Sequence, residues 1–140
     1  MDTDRLDVLL DLLRADGPSG HEDPAAATWR RHAAAAGGRV EGDVLGSSYA
    51  RFGPANGPTV LLLGHIDEIG LIVTHVEDDD TTWPGLLRIA EIGAWDPQTL
   101  VGQRLRLRTP DGRTLPGVVG RPPRHLLEDD ALHRAVRVRD

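Results

Sequence analysis

Val60 to Leu63 is four consecutive branched aliphatic residues, entered from a loop at Gly57-Pro58 and left through Gly64. A short uninterrupted apolar run between turn residues predicts a strand buried on both faces of a sheet. Two helices are predicted ahead of it. Asp4 to Ala15 carries Leu6, Leu9, Leu10 and Leu13 at helical spacing, an amphipathic pattern with one buried stripe that ends at Gly17-Pro18. Ser19-Gly20-His21-Glu22 has the form of a capping box and leads into an alanine-rich helix from Asp23 to Ala36, stopped by Gly37-Gly38. Helices followed by a doubly buried strand imply an α/β layered fold.

The strands on either side are shorter. Arg39 to Val44 and Ser48 to Phe52 read as a pair turned at Leu45-Gly46. From Leu71 onward the pattern is all-β: Leu71 to Val76, a polar turn at Asp78-Asp79-Asp80, then Leu86 to Ile92. Arg104 to Thr109 alternates strictly, with Leu105 and Leu107 on one side and Arg104, Arg106 and Arg108 on a solvated one. Pro110-Asp111-Gly112 turns this strand back into Thr114 to Val119. Pro122-Pro123 closes the β region, Glu128 to Ala135 has a helical composition, and Val136 to Asp140 begins a new alternation.

Composition removes several function classes. No cysteine is present, which excludes a disulfide scaffold, thiolate zinc, an iron–sulfur cluster and a cysteine nucleophile. All 16 basic residues are arginine, so neither a Schiff-base lysine nor a phosphate-loop lysine is available. A net charge of −6 argues against a general nucleic-acid binder. The acidic start and the absence of a long apolar stretch predict no secretory leader and no membrane association, hence a cytoplasmic protein.

The chemistry concentrates in Gly64-His65-Ile66-Asp67-Glu68-Ile69-Gly70, directly after the aliphatic run. Ligand sites in open α/β sheets lie beyond the carboxyl ends of strands, where His65 is expected. A neutral imidazole suits zinc and related divalent ions, and Asp67, two residues on, could take the other ring nitrogen. On these residues alone, a structural hydrogen-bonded pair is the plainer reading. Glu68, as the next residue, would face the opposite way and is a poor general base. His75, His21, His32, His125 and His133 read as surface or structural residues, and Trp95 as part of a β-domain core or an interface.

The string Val60-Leu-Leu-Leu-Gly-His-Ile-Asp-Glu-Ile-Gly-Leu-Ile-Val-Thr-His-Val76 resembles the signature of the M42 metallo-aminopeptidases, which include glutamyl and tetrahedral aminopeptidases. The likeness extends through Gly17-Pro-Ser-Gly-His-Glu22, Asp43-Val-Leu-Gly46, Ile92-Gly-Ala-Trp-Asp-Pro-Gln98, Gly102-Gln103-Arg104, Gly117-Val-Val-Gly120 and Pro122-Pro-Arg-His-Leu126. Ser47 departs from the family's usual asparagine.

The resemblance implies an α/β catalytic domain of the zinc-peptidase kind, interrupted by an all-β lid and dimerisation domain. Residues 1–70 would start the catalytic domain, 71–127 would form the lid, and 128–140 would begin the return. It implies two divalent ions, zinc or cobalt, that activate a water for hydrolysis of N-terminal residues from short peptides. His65 would be a terminal ligand of one ion and Asp67 its hydrogen-bonding partner. The family's remaining ligands and its glutamate base have no counterpart in these residues. The expectation is therefore an N-terminal portion, inactive alone, that forms homo-oligomers through the lid. A non-catalytic interaction module is the alternative, and a glycoside hydrolase would need facing carboxylates that are not seen.

Overall fold

In the computed structural model, residues 3–77 and 85–121 are described. The acidic turn at 78–80, Pro122-Pro123, His125, His133 and the segments 128–135 and 136–140 lie outside the described residues. The chain divides into two compact units, Met1–Gly70 and Leu71–Asp140.

The first unit opens with α1 (Thr3–Arg14) and α2 (Asp23–Ala35). Ala25 and Ala26 of α2 are its buried residues, small enough to let backbone approach closely. The Asp11 carboxylate ties the helices together, accepting from Arg31 Nη2 at 3.1 Å and lying 2.9 Å from His32 Nε2. His32 is thus a half-buried interhelical contact and not the solvated residue its polar neighbours suggest. The leucine stripe of α1 is also not buried as expected: Leu6 and Leu9 are exposed and Leu13 is 70% accessible. The helix forms, but Leu10 of the stripe is only half-buried, and Leu6, Leu9 and Leu13 stay exposed while Asp11 makes the contact with α2.

Gly37, with φ of 86°, ends α2, and β1 (Arg39–Gly42) pairs antiparallel with β2 (Ser48–Arg51), Val40 opposite Ala50. α2 packs on this ribbon. Arg30 Nη1 donates to Ser48 Oγ at 2.9 Å, and a Cβ at Gly38 would lie 2.8 Å from the Phe52 ring. The turn is organised by Asp43, whose Oδ1 accepts from the amides of Leu45 and Ser47 and whose Oδ2 accepts from the Tyr49 hydroxyl. Ser47 takes part through its amide, and its hydroxyl also acts on the Asp43 carboxylate.

The aliphatic run is where the structure departs most from expectation. Thr59 to Gly64 belongs to no strand, and Val60, Leu61, Leu62 and Leu63 are between 72% and 89% exposed. A strand is stabilised only by a neighbour that accepts its ladder of hydrogen bonds. Among the described residues no backbone bond reaches this run.

In the second unit β3 (Gly70–Val76) pairs with β4 (Leu87–Ile92). A four-residue helix, α3 (Pro97–Leu100), follows, which the all-β reading missed. Asp96 caps it by accepting from Gln98 N at 3.0 Å, and Leu100 is its buried anchor. β5 (Arg104–Arg108) and β6 (Thr114–Val118) form the expected hairpin, Leu105 opposite Gly117 and Leu107 opposite Leu115, with the three arginines outward. Gly112, at φ 83°, sits in its turn, as the left-handed region requires.

Candidate functional site

Asp67 to Gly70 is held in place by the loop between α1 and α2. Glu68 N donates to Gly17 O at 2.8 Å and Ser19 N to Glu68 O at 3.3 Å, a parallel bridge between Pro18 and Glu68. Glu68 Oε1 adds a third bond, accepting from Gly17 N at 3.1 Å. The two segments approach so closely that a side chain at Gly70 would collide with Pro18, and Gly17 is closed on its other side by α2. A Cβ on Gly70 would stand 2.7 Å from Pro18 Cβ, and one on Gly17 would stand 2.9 Å from Ala25 Cβ. The Glu68 carboxylate thus holds the loop through Oε1.

His65 and Asp67 are brought together as their spacing suggests. His65 Nδ1 lies 3.0 Å from both the Asp67 carbonyl oxygen and Asp67 Oδ1. The carbonyl and the ionised carboxylate can only accept, so Nδ1 must carry a proton. In the neutral ring that leaves the lone pair on Nε2, on a side chain that is 85% exposed. An imidazole with Nδ1–H on a carboxylate and Nε2 open is the form in which histidine ligates a metal.

Ser19 completes the arrangement. Its Oγ donates to Asp67 Oδ2 at 2.5 Å, so each carboxylate oxygen has its own partner. The Ser19 hydroxyl, and after it the His65 imidazole, hold the Asp67 carboxyl below the ordinary aspartate range. This replaces the expected capping box. The N-cap of α2 is Glu22, with no side-chain cap bond, and its Oε1 accepts from Gly20 N at 2.6 Å instead. His21 likewise precedes the helix, its amide donating to Pro18 O at 2.8 Å. A serine three residues before a glutamate carries the capping signal, but nothing local reveals a partner 48 residues away.

His75 is exposed on β3, as its position suggests, and Trp95 is half-buried. Among the described residues no group of three or more histidine, aspartate and glutamate side chains could enclose a metal ion. His65 therefore offers one donor, not a complete cage. Nor is any described helix long and apolar enough to cross a membrane.

Comparison with known proteins gives this geometry a setting. The sequence profile of the M42 glutamyl aminopeptidases matches residues 46–140. The chain is 33% identical over 124 residues to the putative aminopeptidase FrvX of Escherichia coli, covering 89% of this chain and 33% of that protein. It is 30% identical over 118 residues to the glutamyl aminopeptidase of Lactococcus lactis, covering 83% and 32%. Among solved structures, the TET aminopeptidase of Thaumarchaeota archaeon SCGC AB-539-E09 superposes with a TM-score of 0.85 at 31% identity, over 98% of this chain and 36% of that one. The dodecameric PhTET1-12s gives 0.73 at 25% identity, over 99% and 37%. The chain thus has the mixed α/β fold of one part of a TET aminopeptidase and spans about a third of the length of these relatives. It belongs to the M42 glutamyl aminopeptidase family.

Proposed function

We propose that this chain supplies part of the metal centre of an aminopeptidase that removes N-terminal residues from short peptides. Residues 1–70 and 128–140 are assigned to the catalytic domain, and 71–127 to a lid that also mediates homo-oligomer formation. The fall of the boundary between the two compact units after Gly70 is in keeping with that division. His65 is assigned as a terminal ligand through Nε2 to one of two divalent ions, zinc or cobalt, and Asp67 as the group that fixes its tautomer. The observation that carries this reading is the Nδ1–H contact to Asp67 with Nε2 left exposed, in a member of a peptidase family.

When bound, the divalent ions supply an ionisable water near neutral pH and a Lewis acid for the peptide carbonyl. The chain's own residues orient. Asp67 keeps the proton on Nδ1, Ser19 and Glu68 tie that segment to the α1–α2 loop, and the ring presents a lone pair outward. A catalytic zinc has about three protein ligands, and among the described residues His65 offers one donor, so the remaining donors and the general base are assigned outside the described residues. The chain alone is accordingly inactive, and its compartment is the cytoplasm. Family membership favours this reading over a stand-alone interaction module.

Titrating the chain with cobalt(II) while following its six histidines by NMR tests the assignment. The His65 ring signals are expected to broaden first, and His65→Ala removes that first event. No hydrolysis of aminoacyl-p-nitroanilides accompanies it. Earlier broadening at another histidine, or turnover by the chain alone, refutes the proposal.

A further inference from the structure

We propose that Ser19, in the loop between the first two helices, is a positioning residue for His65 and acts through Asp67. The inference rests on the reading of His65 as a ligand, but its core concerns only which ring nitrogen holds the proton.

A carboxylate two residues from a histidine is not fixed by that spacing, because it can rotate about its own bonds. A free Asp67 could swing to water, leaving Nδ1 with the backbone carbonyl alone. Here each oxygen is committed, Oδ1 to His65 Nδ1 at 3.0 Å and Oδ2 to Ser19 Oγ at 2.5 Å. With both ends held, the carboxylate plane is set and Oδ1 stays on the ring.

Ser19 is itself anchored independently of its hydroxyl. Its amide donates to Glu68 O, Glu68 N donates to Gly17 O, and the Glu68 side chain accepts from Gly17 N. The loop can come this close because Gly70 presents no Cβ to Pro18, while Gly17 lets the same loop lie against Ala25 of α2. These contacts form a rigid mount, and the Ser19 hydroxyl is its one side-chain bond to the aspartate that orients the imidazole. Deleting that hydroxyl leaves the mount's backbone bonds intact and releases the carboxylate.

The test is ring nitrogen NMR of His65 at about pH 8.5, where an ordinary imidazole is neutral. The wild-type chain is expected to hold the proton on Nδ1. Ser19→Ala and Ser19→Gly shift a measurable part of the population to the Nε2-protonated form, the Asp67 carbonyl still accepting from Nδ1 in the remainder, and Ser19→Thr, which keeps the hydroxyl, retains the wild-type pattern. Protection of the Ser19-position and Glu68 amides confirms that the loop stays docked in each variant. Cobalt(II) affinity in the alanine variant falls about 10-fold, at the low end of what losing a histidine's hydrogen-bond partner costs a metal site. An unchanged His65 tautomer in both deletion variants overturns the proposal. Failure of wild-type His65 to bind cobalt(II) would instead strike the ligand assignment, leaving the tautomer result to decide the role of Ser19.

Discussion

Asp43 and Asp67 solve the same problem at the residue level, each using both carboxylate oxygens to fix a local geometry. At Asp43 the Tyr49 hydroxyl is the main influence, followed by the amides of Ser47 and Leu45, and together they hold its carboxyl below the ordinary aspartate range. An acid strengthened by folding stabilises the folded state above its unfolded value, and that contribution disappears as pH falls through the lower folded value. The β1–β2 turn should therefore loosen only under distinctly acidic conditions. In a carboxyl-detected NMR titration Asp43 titrates below the ordinary aspartate range, and Tyr49→Phe moves its midpoint up toward that range. An unmoved midpoint in that variant means the phenol bond has no influence. At this scale the pairing of His65 with Asp67 was legible because two residues on an open backbone fall within reach. The tie from Ser19 to Asp67 was not, since a hydroxyl's long-range partner leaves no mark in the spacing.

Between elements, glycine sets how closely the α1–α2 loop can lie against the segment that carries Asp67. Gly70→Ala would place a methyl 2.7 Å from Pro18 Cβ, well inside contact distance and against a rigid ring. Overpacking of this kind costs about 1–3 kcal/mol, expected here as lost amide protection at Ser19 and Glu68 in hydrogen exchange. Gly64→Ala is the control, because nothing lies within 4 Å of its added methyl and its effect should stay within about 0.5 kcal/mol. Equal effects of the two variants contradict the close-approach account. Most element positions were legible from local rules: the helix stops near Gly17 and Gly37, the turn at Leu45-Gly46, and the alternation that turns Leu105 and Leu107 inward, although α1 ends at Arg14 and β1 at Gly42, short of the expected Val44. α3 escaped because four residues show no periodicity, although Asp96-Pro97 carries the cap and first-turn signals that define it. Apolar spacing on α1 marked a helix but could not say which face would be covered.

Over the whole molecule, the run Val60 to Leu63 is the feature that most governs behaviour in solution. Its pattern states a demand for burial on two sides, and only the positions of other strands can meet it. Among the described residues none does, so all four side chains, Val60, Leu61, Leu62 and Leu63, stay exposed. Leu6, Leu9 and Leu13 on α1 add further exposed apolar surface. Four uncharged aliphatic residues whose backbone groups have no partner among the described residues form a template for edge-to-edge association. The isolated chain is expected to bind a hydrophobic dye such as ANS and to show concentration-dependent association in sedimentation velocity. Leu61→Ser with Leu63→Ser should reduce both signals, and Val60→Ser with Leu62→Ser should reduce them to a similar degree, because neither side is covered. A strand with one face packed on a core would respond differently: one pair would relieve association and the other would unfold the first unit. A strongly unequal response of the two double variants would therefore show that the run is covered on one side, and a monomeric wild-type chain that binds no dye would show that it is covered on both.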